Sequence, residues 1–346
     1  MTVLSGVSSF FGLDIGTTGM RLVELRGSGT TRSLVKYAYV PIDAKLSQSD
    51  SKVDQQKLSQ ILQNLIAEAR PTTKHVAVGI PSSRVFTTVV DFDHLSMSET
   101  AKAISYQADS LIPTPPAESK IDWSVLGDSP KDKTKVELLL SSVPNNFIES
   151  RLDMIESVGL NVIAFEPDSI ALSRALISPG SAGPQLIIDI GQQGTDLIIV
   201  MNEAPRLVRA IPTGAEAIIR SAMQNLNIDE NQANQFVFKF GVSKDKLEGN
   251  VFQAIIGTVD MLVGEIDKSI KFFQARYPGV AVGQMIVSGA AATIPELPLY
   301  LANKFGVNVE IGNAWRNVAF AADRQNELLA VSNSFSVAVG LAERSE

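Results

Sequence analysis

Phe11 to Leu25, FGLDIGTTGMRLVEL, is the stretch whose residue types and spacing best suit chemistry. An apolar run ends in Asp14-Ile15-Gly16, passes through Thr17, Thr18 and Gly19, and resumes as Leu22-Val23-Glu24-Leu25, which is how a strand, a tight polar turn and a returning strand are written. Gly16 lets backbone come close to a ligand, Thr17 and Thr18 add hydroxyl groups, and Asp14 at the strand end suits a hydrated divalent cation. Phosphate with Mg²⁺ is the guest expected of such a turn. A second copy follows 175 residues further on, where IDIGQQGTDLIIV aligns Asp189 with Asp14, Gly191 with Gly16, Gly194 with Gly19 and Leu197 with Leu22. One such turn is a weak signal, because D-x-G-T is often only a bend. Two in register, one opening each half, point to facing hairpins that clamp a phosphate chain, with Asp14 and Asp189 toward the metal.

A third loop, Ser288-Gly289-Ala290, follows an apolar strand late in the second half, where it would close over the base of a nucleotide. No catalytic set is discernible elsewhere. His75 begins a strand, His94 sits in a polar loop, Glu99 and Asp109 are ten residues apart on one helix, and no Ser-His-Asp arrangement is spaced for nucleophilic chemistry. The absence of cysteine excludes thiolate catalysis and disulfides, and two isolated histidines do not make a zinc site, so any metal is held by oxygen.

The elements that must position these loops read as two similar halves. In residues 1–80 the hairpin is followed by a strand over 33–42, an amphipathic helix carrying Leu58, Ile61, Leu62, Leu65 and Ile66, and a buried strand over 75–80. Residues 81–144 change texture, with strands near 84–92, 121–126 and 136–143, a helix from Ser98 and a Pro-rich turn at 113–116, and read as a small inserted subdomain. Residues 145–180 return to the first lobe with a helix, a strand over 161–167 and a helix over 168–177. Ser178 to Pro184, SPGSAGP, marks the boundary, and 185–346 repeats the opening order as a second lobe, with helices at 214–226 and 229–240 and a long one at 245–276. The duplication implies two lobes with a cleft between them.

At 346 residues, 45% apolar and 19% charged, the chain is long enough for about two domains with sizeable cores. A net charge of -7 with scattered Lys and Arg speaks against nucleic acid. No apolar run reaches the roughly 18 residues of a membrane span, and neither a signal peptide nor an amphipathic anchor is written at the ends. The expectation is a soluble cytoplasmic protein that reaches the inner face of the membrane through partners, without inserting directly.

Together with the two hairpins, five further stretches carry a resemblance: VAVGIPSSRVFTTVVDFDHLSMSE, LIPTPPAESKIDWSVLG, VELLLSSVPNNFIESRLDMIESVGLNVIAFEPDSIALSRAL, IPTGAEAI and IVSGAAATIPELPLYLANKFGVNVEI. In this order, over essentially the whole chain, they resemble the PilM family, actin-like proteins of type IV pilus assembly related to the division protein FtsA. The resemblance implies an α/β, actin-like (ribonuclease H-like, duplicated) two-lobe fold with a small inserted subdomain. It further implies ATP and Mg²⁺ in the cleft, a groove for the N-terminal peptide of PilN, indirect links to PilO and other motor components, and possible self-association. By residue, it implies cofactor contacts from Asp14, Gly16, Thr17, Thr18, Gly191, Gly194, Thr195, Gly214, Glu216, Gly289 and Ala290, and metal contacts from Asp14 and Asp189.

The sequence departs from that pattern at Arg21, where Lys is common, and at Gln193, Ala215, Ala290 and Ala291, where glycine is usual. Asn234 and Val237 stand where Glu and Lys typically meet the ribose and base. Losing two charge-assisted hydrogen bonds of roughly 1.5–3 kcal/mol each would weaken a nucleotide more than tenfold, and hydrolysis is expected to be slow or absent. A scaffold is therefore favoured over an actin-fold phosphotransferase such as a sugar kinase, which needs a positioned Asp base and a polar substrate pocket. It is also favoured over an FtsA-like membrane-tethered filament.

Overall fold

The computed structural model describes residues 9–27, 32–181 and 183–345. Three strands open the chain as an antiparallel meander, β1 (Phe11–Ile15), β2 (Gly19–Arg26) and β3 (Arg32–Pro41). A short helix α1 (Ala44–Gln48) and the amphipathic α2 (Lys52–Ala69) lead to β4 (His75–Ile80), which pairs parallel to β1. Every residue of β1 is buried, as befits a strand in the middle of a sheet covered on both faces.

After β4 the chain leaves the sheet to build an insert: β5 (Phe86–Asp93), α3 (Met97–Leu111), β6 (Ser119–Asp128) and β7 (Lys135–Pro144). Its sheet runs β5-β7-β6, and α3 buries Ile104 against Phe92, Leu138 and Leu140. A capping box between Ser96 and Glu99 fixes where α3 begins. Helix α4 (Asn145–Glu156) and strand β8 (Asn161–Pro167) return to the first sheet, and α5 (Asp168–Leu176) crosses toward the second half.

The second half repeats the first. Strands β9 (Gln185–Ile190), β10 (Thr195–Met201) and β11 (Ala204–Ile211) form the meander, β12 (Gln284–Ser288) pairs parallel to β9, and β13 (Asn308–Ile311) pairs parallel to β12. The sheet orders β3-β2-β1-β4-β8 and β11-β10-β9-β12-β13 are therefore the same. Helices α6 (Ala215–Leu226), α7 (Glu230–Phe240), α8 (Asn250–Arg276) and α9 (Leu297–Phe305) close around the second lobe. The long helix begins later than its periodicity predicts: Leu247 and Glu248 take left-handed backbone, with φ of 47° and 54°, and Leu247 is exposed rather than part of the buried stripe.

The end of the chain departs most from the sequence reading. Strand β14 (Val318–Ala319) pairs with β3, and helix α10 (Gln325–Ala342) lies between the two sheets beside α5, so residues assigned to the second lobe complete the first. Phe335, Val339 and Trp315 cluster there with Val23 of the first sheet and Ile187 and Ile198 of the second. Gly12 and Gly340 permit that approach. A Cβ on Gly12 would meet the backbone of α10, and one on Gly340 would meet the Ala171 carbonyl of α5.

Candidate functional site

A cleft of about 510 Å³ opens between the lobes, with the two hairpin turns on facing walls. Their backbones close alike: the Gly16 N–H donates to the Gly19 carbonyl at 3.0 Å, and the Gly191 N–H to the Gly194 carbonyl at 2.9 Å. These two amides are thus used within the turns. Asp14, Gly16, Thr17, Thr18, Asp189, Gly191, Gly194, Gly289 and Ala290 all line the cleft, so the structure brings together most of the residues that the sequence singled out.

Thr195, Gly214 and Glu216 do not line it. The Thr195 hydroxyl is buried and donates to the Thr213 carbonyl at 2.7 Å. The amides of Ala215 and Glu216, at the start of α6, donate to the carbonyls of Gly191 and Gln192 at 2.9 Å, so this helix end holds the second hairpin in place. A Cβ on Gly214 would collide with those carbonyls, and the Glu216 carboxylate pairs with Arg220 one turn on. Of the departures from the family pattern, Gln193 and Ala290 face the cleft, Ala215 and Ala291 are fully buried, and Asn234 is exposed on α7. Val237 is packed into the second lobe's core. Neither Asn234 nor Val237 reaches the cleft wall.

Strand register decides the electrostatics. In the first hairpin Asp14 stands opposite Arg21, whose Nη1 lies 3.4 Å from the carboxylate. The equivalent pair in the second hairpin is Asp189 opposite Asp196. Burial raises the Asp14 pKa, and the guanidinium of Arg21 offsets part of the rise. Burial pushes Asp189 up to about 7, the charge of Asp196 adding to it and the Ser288 hydroxyl taking some back. Asp196 rises to about 6 through burial, with the Ser82 hydroxyl opposing. Asp168, at the first turn of α5, is raised well above the usual carboxylate range by burial and then by Asp14, Asp196 and Asp189. Its Oδ1 has no hydrogen-bond partner among the described residues.

Asp168 and Asp196 were missed from the sequence, although each left a signal. Asp196 occupies the hairpin position of Arg21, one residue past the G-T pair. Asp168 follows Glu166-Pro167 where a parallel strand of the sheet passes into a helix, the place at which open α/β sheets present ligands. Across the cleft the Gln48 side-chain amide donates to that of Gln193, joining α1 to the second hairpin. Among the described residues no group of three or more Asp, Glu or His is close enough to hold a bare ion, so an ion held by Asp14 and Asp189 would take its remaining ligands from water and phosphate.

The family model described as type IV pilus assembly protein PilM matches residues 12–346. A solved structure titled as the PilM-PilN type IV pilus biogenesis complex superposes with a TM-score of 0.81 at 21% identity, covering 98% of each chain. The ethanolamine utilization protein EutJ from Carboxydothermus hydrogenoformans follows at 0.58 and 13% identity, over 100% of this chain and 93% of its own. The MreB5 protein of Spiroplasma citri bound to ADP stands at 0.52 and 13%, over 96% and 95%. These likenesses establish the actin-like fold, two lobes around a cleft, and the match over nearly the whole sequence makes this chain a member of the PilM family of type IV pilus assembly proteins.

Proposed function

We propose that this chain is a cytoplasmic, nucleotide-binding scaffold of the type IV pilus machinery, drawn to the inner face of the membrane by gripping the N-terminal peptide of a PilN homologue and linked through it to PilO and the motor. The observation that carries the reading is a groove of about 120 Å³ where the insert meets the first lobe. Trp123, Leu139, Val143, Ile148 and Phe165 give it an apolar floor. β6 beside it is an edge strand, so its outward backbone groups are open to an added strand. Apolar pockets next to an unpaired edge are what a short extended peptide needs. Lys120 and Asp122 contribute one charge of each sign, so binding should depend only modestly on salt. No helix among the described residues is long and apolar enough to cross a membrane.

The cleft supports the second half of the reading. Its volume lies within the usual range for small-molecule sites, and three residues of its lining, Arg21, Asp168 and Asn333, each carry a buried polar atom with no hydrogen-bond partner among the described residues. The hairpins would hold the phosphates of ATP, and Asp14 and Asp189 the hydrated Mg²⁺. Bound Mg²⁺ would supply the positive charge that the second hairpin lacks. With Asn234 and Val237 turned away, Ala290, Asn333 and Ser334 are left for the adenosine end, which predicts weak base recognition. Calorimetric titration of the purified chain with the cytoplasmic N-terminal peptide of the PilN homologue from the same organism tests the recruitment. Binding is expected, and none at about 100 µM, a free energy of roughly 5.5 kcal/mol, would overturn it.

A further inference from the structure

The first-lobe wall of the cleft carries two arginines that have one carboxylate, Asp50, to offset both. Arg151, on α4, is 6% exposed and lines the cleft. Its Nη2 donates to the Ser47 carbonyl at 2.7 Å, whereas its Nη1 is buried without a partner among the described residues. Among the described residues no carboxylate lies within ion-pair distance of it. Arg206, equally buried, has Glu137 at 3.9 Å. Arg84, from the turn after β4, lies on the same wall, donating to the Gln48 carbonyl at 3.1 Å and reaching only the half-exposed Asp50 at 3.5 Å. Both guanidinium carbons sit 5.4 Å from the centroid of the Phe147 ring, so two like charges share one aromatic side chain.

Capping the end of α1 accounts for one nitrogen of each arginine, since Ser47 and Gln48 are its last residues. It does not account for Arg151 Nη1. A guanidinium taken out of water beside a second one, with only the half-exposed Asp50 to offset both, is costly unless a further anion arrives. The place also fits: Ser47, whose carbonyl holds Arg151, donates its hydroxyl to the Thr17 carbonyl of the first hairpin at 3.1 Å.

We propose that Arg151 and Arg84 form a phosphate subsite on this wall, beside the Thr17 turn, with the neighbouring Ser82 and Ser83 hydroxyls on its rim. Two forked guanidinium groups offer more donors than the two coplanar oxygens of a carboxylate can accept, and a tetrahedral phosphate matches them better. The phosphate is either the terminal group of a nucleotide seated between the hairpins, which rests on the function proposed above, or a free phosphate.

The test is calorimetric titration of wild type, Arg151→Met and Arg151→Lys with ATP·Mg²⁺, ADP·Mg²⁺ and inorganic phosphate, alongside melting of the ligand-free proteins. Arg151→Met fills similar volume without charge, so its ligand-free melting temperature should equal or exceed that of wild type. At least one phosphate ligand should bind it tenfold or more weakly, with Arg151→Lys intermediate. A loss for ATP with ADP unchanged identifies the terminal phosphate, and a loss for inorganic phosphate identifies a free one. Wild type that binds none of the three, or Arg151→Met that binds all three as wild type does, overturns the subsite. If ADP·Mg²⁺, ATP·Mg²⁺ and inorganic phosphate all bind both proteins equally, the subsite fails and the nucleotide reading stands. Arg151-dependent binding of phosphate without any nucleotide binding does the reverse.

Discussion

Asp189 and Asp196 stand directly opposite one another on adjacent antiparallel strands, at the positions that Asp14 and Arg21 hold in the first lobe. Like charges placed across a ladder repel, whereas the first-lobe pair attracts. One hairpin is thus neutralised within the chain, and the other needs protons or an external cation.

Stability without ligand should fall as pH rises. Asp189 and Asp196 are held at about 7 and about 6 in the folded protein, against 3.8 for an ordinary aspartate, so between pH 4 and 7 the folded state binds more protons than the unfolded chain. Their protonated forms are favoured by the fold at the acid end, and that advantage is gone once pH has passed the folded values. Carboxylates with lowered pKa, such as Asp54 at about 2, act in the opposite direction but below pH 4. Urea midpoints should therefore drop from pH 5 to pH 8, and less so in Asp196→Asn, where the repulsion is gone. Equal drops in both proteins would contradict this assignment.

The insert is locked to the second lobe by one buried carboxylate. Glu137, on β7, accepts the Tyr277 hydroxyl on both oxygens at 2.9 Å and Arg276 Nε at 2.8 Å, while Arg276 also reaches Asp91 at 2.8 Å. Tyr277→Phe removes hydrogen bonds to a charged acceptor and should cost about 1.5–3 kcal/mol. Glu137→Gln leaves Arg206 and Arg276 without their shared partner and should cost more, about 3–5 kcal/mol. Denaturant unfolding that ranked the two in the reverse order would show that the network is not centred on Glu137.

How much of this was legible in the sequence depended on what each residue's environment left in the local pattern. The hairpins were legible because glycines and hydroxyl residues must recur where the backbone turns, and the 175-residue offset exposed the duplication. The insert was legible from the change of texture over 81–144, where short strands and the Pro-rich turn at 113–116 interrupt the pattern of the first lobe. Helix α10 was not, because its last turns are packed between two sheets: with Ala338, Val339, Gly340, Leu341 and Ala342 all buried, they show no single apolar stripe. Asp168 and Asp196 gain their meaning only when distant strands bring them to one cleft. Leu247 matched the helical period of α8 but lies in a left-handed turn that periodicity does not encode.

Two glycine substitutions should act with opposite sign. Gly257, on an exposed face of α8, has nothing within 4 Å of a built Cβ, so Gly257→Ala should stabilise by up to about 1 kcal/mol through helix propensity. Gly340→Ala gains the same propensity but drives a methyl into the Ala171 carbonyl, and overpacking of about 1–3 kcal/mol or more should outweigh it. Thermal melts of the two variants check the contrast, and a stabilised Gly340→Ala would mean that α10 and α5 are not in this close contact.

Hydrogen exchange of the full chain, with and without the N-terminal peptide of its PilN homologue, tests the central claim most directly. A peptide that adds to the edge of the insert must hydrogen-bond along β6, so protection should rise in Ser119–Asp128 and in the groove segments around Leu139 and Ile148, with the cleft hairpins little changed. Binding accompanied by no added protection in β6, with changes confined to the hairpins or to the second lobe, would contradict the proposed mode of recruitment.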